Sequence, residues 1–253
     1  MTALSPAIAL PAWAVANLWE WEGHGPPHPI VGYDEHWTPP EARDEFQSAV
    51  MATLREEGLA HDGVLVDELR DALWVLANAE HECYGRMFDR TGTDRRVLVA
   101  AADGRAVRFT RDDRMATLEF TPADTIAESC VQPLPDVPPA RFQTLSVRES
   151  DYRPSADEMT VVVQPSATRL RELTSGTRTG MHEFIVATRA GGSRVSSRPM
   201  TVLDLVERGR VACYYTTPGN DVPHIACVPG DPANLVSALG VIRAELSKPE
   251  GTR

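Results

Sequence analysis

Residues Arg95–Leu134, RRVLVAAADGRAVRFTRDDRMATLEFTPADTIAESCVQPL, govern how the rest of the chain is read. Val97–Ala100 is a short apolar strand and Asp103–Gly104 a tight turn, while Ala106–Thr110 and Met115–Thr121 alternate apolar with polar residues on either side of an Asp112–Asp113 turn. Pro122–Ala123–Asp124 then opens an amphipathic helix. A second stretch repeats the plan: Phe184–Ala187 precedes Gly191–Gly192, and Val228–Pro229–Gly230–Asp231 matches Thr121–Asp124. The first matches lie 87 residues apart and the second 107, which puts about 20 extra residues in the second copy, between Pro199 and Asn220. The repeat predicts two halves of similar build, about 1–134 and 141–253, sharing one sheet within a single domain over 1–253. Pro133–Pro139, with four prolines in seven residues, is the joint.

At 253 residues the chain can bury a sizeable core. A net charge of −11 argues against a nucleic-acid binder that works by neutralising phosphates. The acid is concentrated in Asp34–Asp71, which holds 11 acidic and 3 basic residues. Lys248 is the only lysine, a usage that fits codon bias better than function. The apolar N-terminal run has no Lys or Arg ahead of it and is closed by Glu20 and Glu22, so neither a signal peptide nor a membrane-spanning helix is expected. Cys83, Cys130, Cys213 and Cys227 are irregularly spaced and read as buried cytosolic thiols rather than a disulfide framework.

Working outward, Ala7–Leu10 reads as a strand, Pro11–Trp21 as a helix and Gly23–Pro29 as a loop. Thr38 caps a helix, with Pro39 at its first position and Glu41 reaching back, and Phe46, Val50, Met51 and Leu54 form its buried stripe. After a His61–Asp62–Gly63 turn, Asp67 caps a second helix carrying Leu69, Leu73, Trp74 and Leu76, so the two helices form a hairpin on the sheet. His81–Phe88 is a strand and Asp89–Asp94 a polar turn. Beyond the joint, Thr160–Val163 is read as a strand, Ser166–Leu173 as a helix and Thr174–Gly180 as a loop. Met200–Leu205, Val211–Thr217 and His224–Val228 are strands, and Pro232–Leu246 is the last helix.

Catalytic chemistry has little support. No CxxC, HExxH or GxSxG occurs, so neither a metal nor a cofactor is expected. Two prolines separate His24 from His28 and prevent the helix that would bring both to one ion, which leaves them in a solvated loop. Asp112–Asp113 is a turn rather than a carboxylate pair. His182, Glu183 and Cys213 are better read as a surface histidine and a buried thiol than as a nucleophilic site.

The ordered run of Leu54–Leu59, Asp62–Gly63–Val64, Val97–Ala101 with Asp103–Val107, Thr201–Asp204 with Gly209–Arg210 and the Leu235–Leu246 helix resembles the EspG family of ESX (type VII) secretion-associated proteins. Gly25–Ile30 sits where that family has a proline-containing loop after its first helix. Leu205–Arg208 departs from the pattern, because the family tends to be shorter there, often carries a proline before Gly-Arg, and has an aromatic where Val211 stands.

The resemblance implies an α+β fold, with a central antiparallel sheet flanked by helical subdomains in two quasi-two-fold halves. It further implies a cytosolic, non-enzymatic chaperone, without a cofactor, that binds helical PE–PPE-like heterodimers and keeps them soluble for export. An enzyme or small-molecule-binding protein with a scattered site stays open as the alternative, as does a structural subunit of an assembly.

Strand parity places Val107, Phe109, Ala116, Leu118 and Phe120 in the core. It leaves Arg108, Thr110, Met115, Thr117, Glu119 and Thr121 on the other face. With Arg90 and Asp94 of the neighbouring turn, which the resemblance puts near the substrate, the partner-binding set is Arg90, Asp94, Arg108, Thr110, Met115, Thr117 and Glu119. In it Met115 adapts to a helix and Arg108 reaches the partner's polar rim.

Overall fold

A computed structural model describes residues 7–32, 43–153, 164–190, 193–219 and 222–247. The Thr38–Pro39–Glu41 cap, the Phe46 side chain, the Thr160–Val163 strand and the Gly191–Gly192 turn lie outside the described residues.

In chain order the elements are β1 (Ile8–Pro11), α1 (Ala12–Trp21), α2 (Arg43–Glu56), β2 (Ala60–His61), β3 (Val64–Leu65) and α3 (Asp67–Ala77). Next come β4 (His81–Asp89), β5 (Asp94–Ala102), β6 (Arg105–Arg111), β7 (Met115–Thr121) and α4 (Ile126–Val131). They are followed by β8 (Leu145–Arg148), α5 (Glu149–Tyr152), α6 (Pro165–Thr174), β9 (Arg178–Ala190) and β10 (Ser193–Ser196). The chain closes with β11 (Met200–Leu205), β12 (Gly209–Thr216), β13 (His224–Pro229) and α7 (Pro232–Leu246). The fold class is α+β with antiparallel pairing, and the chain divides into two compact units.

In the unit of Met1–Glu82 and Arg95–Ile126, β5, β6 and β7 form an antiparallel meander and β1 adds to β7. The β5–β6 connection is the turn expected at Asp103–Gly104, whose φ angles are 49° and 72°. Two successive left-handed residues give the type I′ geometry that matches the twist of the flanking strands. Asp62–Gly63, at 49° and 81°, does the same between β2 and β3, so the turn expected there is a miniature hairpin. The start of α3 differs from expectation. Val66 holds the cap position and Asp67 is the first helical residue, so Asp67 and Glu68 act on the helix dipole instead of capping a backbone N–H. Leu69, Leu73 and Leu76 are buried as α3 packs on β6 and β7, whereas Trp74 is half-buried. The expected parity holds for Val107, Phe109, Ala116 and Leu118, all buried; Phe120 is only half-buried.

In the unit of Cys83–Asp94 and Ala127–Arg253 the strand order is β4-β9-β11-β12-β13-β8, with β10 on β9. Strand β9 starts at Arg178, so the expected loop ends early. Gly180 already pairs Asp204, and a side chain there would crowd His182 and Asp204, with a Cβ 3.0–3.1 Å from their polar atoms. Neither β8 nor α5 is anticipated by the sequence reading. Helix α7 starts where expected: the Asp231 carboxylate accepts the Asn234 N–H (3.0 Å) and Pro232 sits just inside. It packs on β9 and β12, and the Thr216 hydroxyl donates to Glu245 (2.6 Å). The other face carries α6, whose Ala167, Leu170 and Leu173 share a core cluster with Val147, Leu203, Val211, Ile225 and Cys227. The proline-rich stretch is tied to β12: Arg210 N–H donates to Pro138 O (2.7 Å) and Ala140 N–H to Arg210 O (2.9 Å).

The last meander strand of each unit, β7 or β13, takes an antiparallel edge strand from earlier in the chain, β1 or β8, and leads into a helix. From β5 to α4 there are three strands and from β9 to α7 there are five.

Candidate partner-binding site

One face of the second unit's sheet is rich in aromatic and arginine side chains. Glu183 opposes Thr201, Thr201 opposes Cys213, and Cys213 opposes Cys227; opposed residues point the same way, so they form one row. Tyr215 lies two residues beyond Cys213 and shares that face. On β4, Tyr84, Arg86 and Phe88 alternate with Cys83, Gly85 and Met87, which are buried. The guanidinium of Arg194, which opposes Arg189 and so shares the parity of Glu183, lies 5.0 Å from the Tyr84 ring centre, placing Tyr84 on the same face. Gly85 lies beneath the Phe184 ring on the opposite face, where a Cβ would come within 2.6 Å of it.

Arginines cover the rings. Arg86 lies 5.0 Å from the centre of Phe88, which is 38 % exposed, and Arg198 lies 3.2 Å from that of Tyr215. Arg198 is also held by both Glu149 oxygens (2.7 and 2.8 Å), bonds that keep the Glu149 carboxyl below its usual range. Tyrosine and arginine are the types that most often anchor protein interfaces. The sequence reading missed this face, because its residues come from separate segments with no common local pattern.

The expected partner-binding residues divide between the units. Arg108, Thr110, Met115, Thr117 and Glu119 share one face of the first unit, where Arg108 opposes Glu119 and Thr110 opposes Thr117. Arg108 is ion-paired to Glu119 and its side chain is 15 % exposed, so it is not the outreaching cation expected. Met115 is 45 % exposed, opposite Pro11. In the second unit Arg90 is exposed and its N–H donates to Thr179 O (3.1 Å), while Asp94 is occupied by Arg86 (2.5 Å). The Asp89–Asp94 turn is ordered by Asp89, which accepts the N–H groups of Thr91 (2.8 Å) and Thr93 (3.2 Å).

Beneath the second unit's sheet lies a charged network. Asp204 accepts from Arg210 Nε (2.6 Å) and Nη2 (2.9 Å) and meets His182 Nε2 at 2.9 Å, and all three residues are buried. Burial alone would push the Asp204 carboxyl up, but the hydrogen bonds and charges of Arg210 and His182 outweigh it and hold the group down at about 2. His182 is therefore buried, contrary to the expected surface position. Its neighbours Val202 and Ala212 share its face, so it points away from Cys213 and the two form no nucleophile–base pair.

In the first unit, His28 is not solvated as expected: its side chain is 8 % exposed, it accepts the Ile30 N–H (3.1 Å), and it lies 3.6 Å from Glu82. Burial lowers the His24 imidazole. Among the described residues no cluster of three His, Cys, Asp or Glu side chains is placed to hold a metal. A groove of about 810 Å³ in the second unit is walled mainly by Val137, Pro138, Pro139, Phe142, Leu173 and Leu205. No helix of the described residues is long and apolar enough to cross a membrane.

No curated protein matches the chain significantly. Among solved structures it is similar to the Mycobacterium tuberculosis type VII secretion system chaperone EspG5 in complex with the PE25–PPE41 dimer, with a TM-score of 0.63 at 15 % identity. The match covers 94 % of this chain and 96 % of that one, a likeness that speaks for the fold. The family model for EspG matches residues 11–240, nearly the whole chain, and the chain therefore belongs to the EspG family.

Proposed function

We propose that the chain is a cytoplasmic chaperone of a type VII secretion system that binds a helical PE–PPE-like heterodimer and keeps it soluble for export. The carrying observation is the EspG match over residues 11–240, joined by an end-to-end likeness to a chaperone solved with a PE–PPE dimer. The physical requirement is an exposed adhesive surface, and the Tyr84 and Phe88 part of that face supplies one, Tyr215 being packed against the α6 core cluster, with Met115 on the first unit's face as a second. The protein acts by binding, not catalysis: His182 and Cys213 point to opposite faces and Asp112 serves a turn, accepting the N–H groups of Arg114 and Met115 (both 2.8 Å). The halves of about 1–134 and 141–253 are two copies of one build, a reading supported by the like placement of β1 and β8.

Co-purification from the native cytosol tests the function. A helical secretion substrate should accompany the protein at fixed stoichiometry and aggregate when expressed alone. Recovery of the protein without any such substrate, from cells actively secreting through the system, would refute it.

A further inference from the structure

Cys213 and Cys227 stand directly opposite on β12 and β13, with their sulfurs 3.3 Å apart. Opposed residues of antiparallel strands have Cα separations of about 4.5–5.5 Å, inside the range a disulfide accepts. Closing the sulfurs to about 2.05 Å thus needs only side-chain rotation, with no change of register. The two thiols differ in burial: Cys227 is fully buried in the α6 core, and Cys213, which packs against that core opposite Thr201, is only partly buried. Contact with Cys213, and then burial, pushes the Cys227 thiol up and keeps it protonated. Cys83 and Cys130 are neighbours too, but both are buried, and burial pushes Cys130 well up. That second pair offers an oxidant no accessible sulfur.

We infer that Cys213 and Cys227 form a reversible oxidation site, at which a peroxide converts the dithiol to a cross-strand disulfide. The Cys213 thiolate attacks one peroxide oxygen and breaks the O–O bond, giving a sulfenic acid and a hydroxide that takes up a proton as water. The Cys227 sulfur then attacks the Cys213 sulfur, and the departing hydroxide leaves with the Cys227 proton as a second water. Two thiols and one hydrogen peroxide become one disulfide and two waters, the sulfurs losing the two electrons that reduce the peroxide. The new bond staples β12 to β13 across positions 14 residues apart, and nothing in it depends on the chaperone reading.

The test takes the full chain, reduced and freed of reductant, and adds about one equivalent of hydrogen peroxide. Alkylation and peptide mapping should find one internal Cys213–Cys227 disulfide, with Cys83 and Cys130 still thiols and full reversal by dithiothreitol. The melting temperature should rise by roughly 5–10 °C, as expected for closing a loop of this size. In Cys227→Ser, oxidation should stop at a Cys213 sulfenic acid that dimedone traps; in Cys213→Ser, Cys227 should remain a thiol. Sulfinic acid accumulating at Cys213 while Cys227 stays alkylatable, or a disulfide joining Cys213 to another chain, overturns the inference.

Discussion

Replacing Arg210 with Met probes the buried network most directly. Arg210 is 5 % exposed and spends its guanidinium on Asp204, at 2.6 and 2.9 Å, and on Pro135 O at 2.8 Å. Methionine keeps the apolar stem but leaves the Asp204 carboxylate, itself 1 % exposed, with only His182 beside it. Breaking a buried pair from one side costs about 3–5 kcal/mol. Titration gives an independent scale: a carboxyl held at about 2 instead of 3.8 contributes about 2.4 kcal/mol at neutral pH. Because the folded value is depressed, that contribution is complete above 3.8 and is lost as pH falls through 2. In the mutant the unpaired carboxyl takes up a proton more readily, so its deficit against wild type is largest at pH 7 and shrinks toward pH 4. Urea unfolding followed by tryptophan fluorescence at pH 7, 5 and 4 measures both. Adding Asp204→Leu should recover at least half the loss, since an empty site costs less than a lone charge. A deficit below about 1 kcal/mol at pH 7, or one that does not change with pH, refutes the reasoning.

Gly230→Ala would set a Cβ 2.1 Å from Arg210 Cγ and should cost about 1–3 kcal/mol, read from thermal melts. Arg108→Glu places a carboxylate opposite Glu119 and should cost up to about 1 kcal/mol in denaturant melts, with Glu119→Arg added in the same chain restoring it. Phe88→Asp should weaken substrate capture roughly 30-fold by titration while leaving the melting temperature within about 2 °C, as suits an exposed anchor; Met115→Asp should cost less.

The fold was legible wherever turn and cap chemistry is local. Asp103–Gly104 and Asp62–Gly63 demand left-handed backbone, and Asp231–Pro232 announces a helix, so β5, β6 and α7 fell in place. Strand β8 escaped because LSVR is four residues whose only reason to be a strand is the distant β13. In β9, both faces carry apolar residues, Phe184 and Val186 against Met181 and Ile185, so alternation could not say that His182 faces inward. The parity of β6 and β7 was readable from Val107, Phe109 and Leu118. The neutralisation of Arg108 by Glu119 was not, since it follows from register across the hairpin.

The second unit's aromatic face poses a physical problem, because a surface sticky enough to hold a substrate is also sticky toward copies of itself. Arg194, Arg86 and Arg198 address it by lying over Tyr84, Phe88 and Tyr215, with Arg86 anchored on Asp94 and Arg198 on Glu149. In the free chain the rings are thereby covered by charge, which stays hydrated and discourages self-association. Each exposed stack is worth only about 0.5–1 kcal/mol, whereas a desolvated aromatic anchor returns 2 kcal/mol or more on burial. A partner that matches the face can therefore displace the guanidinium groups, and one that offers only scattered apolar contact cannot. On the chaperone reading, Arg194→Ala should then raise self-association of the free protein without weakening substrate capture. Light scattering paired with the capture titration separates that outcome from the opposite one, in which Arg194 is itself an anchor and its loss weakens capture while the free protein stays monodisperse.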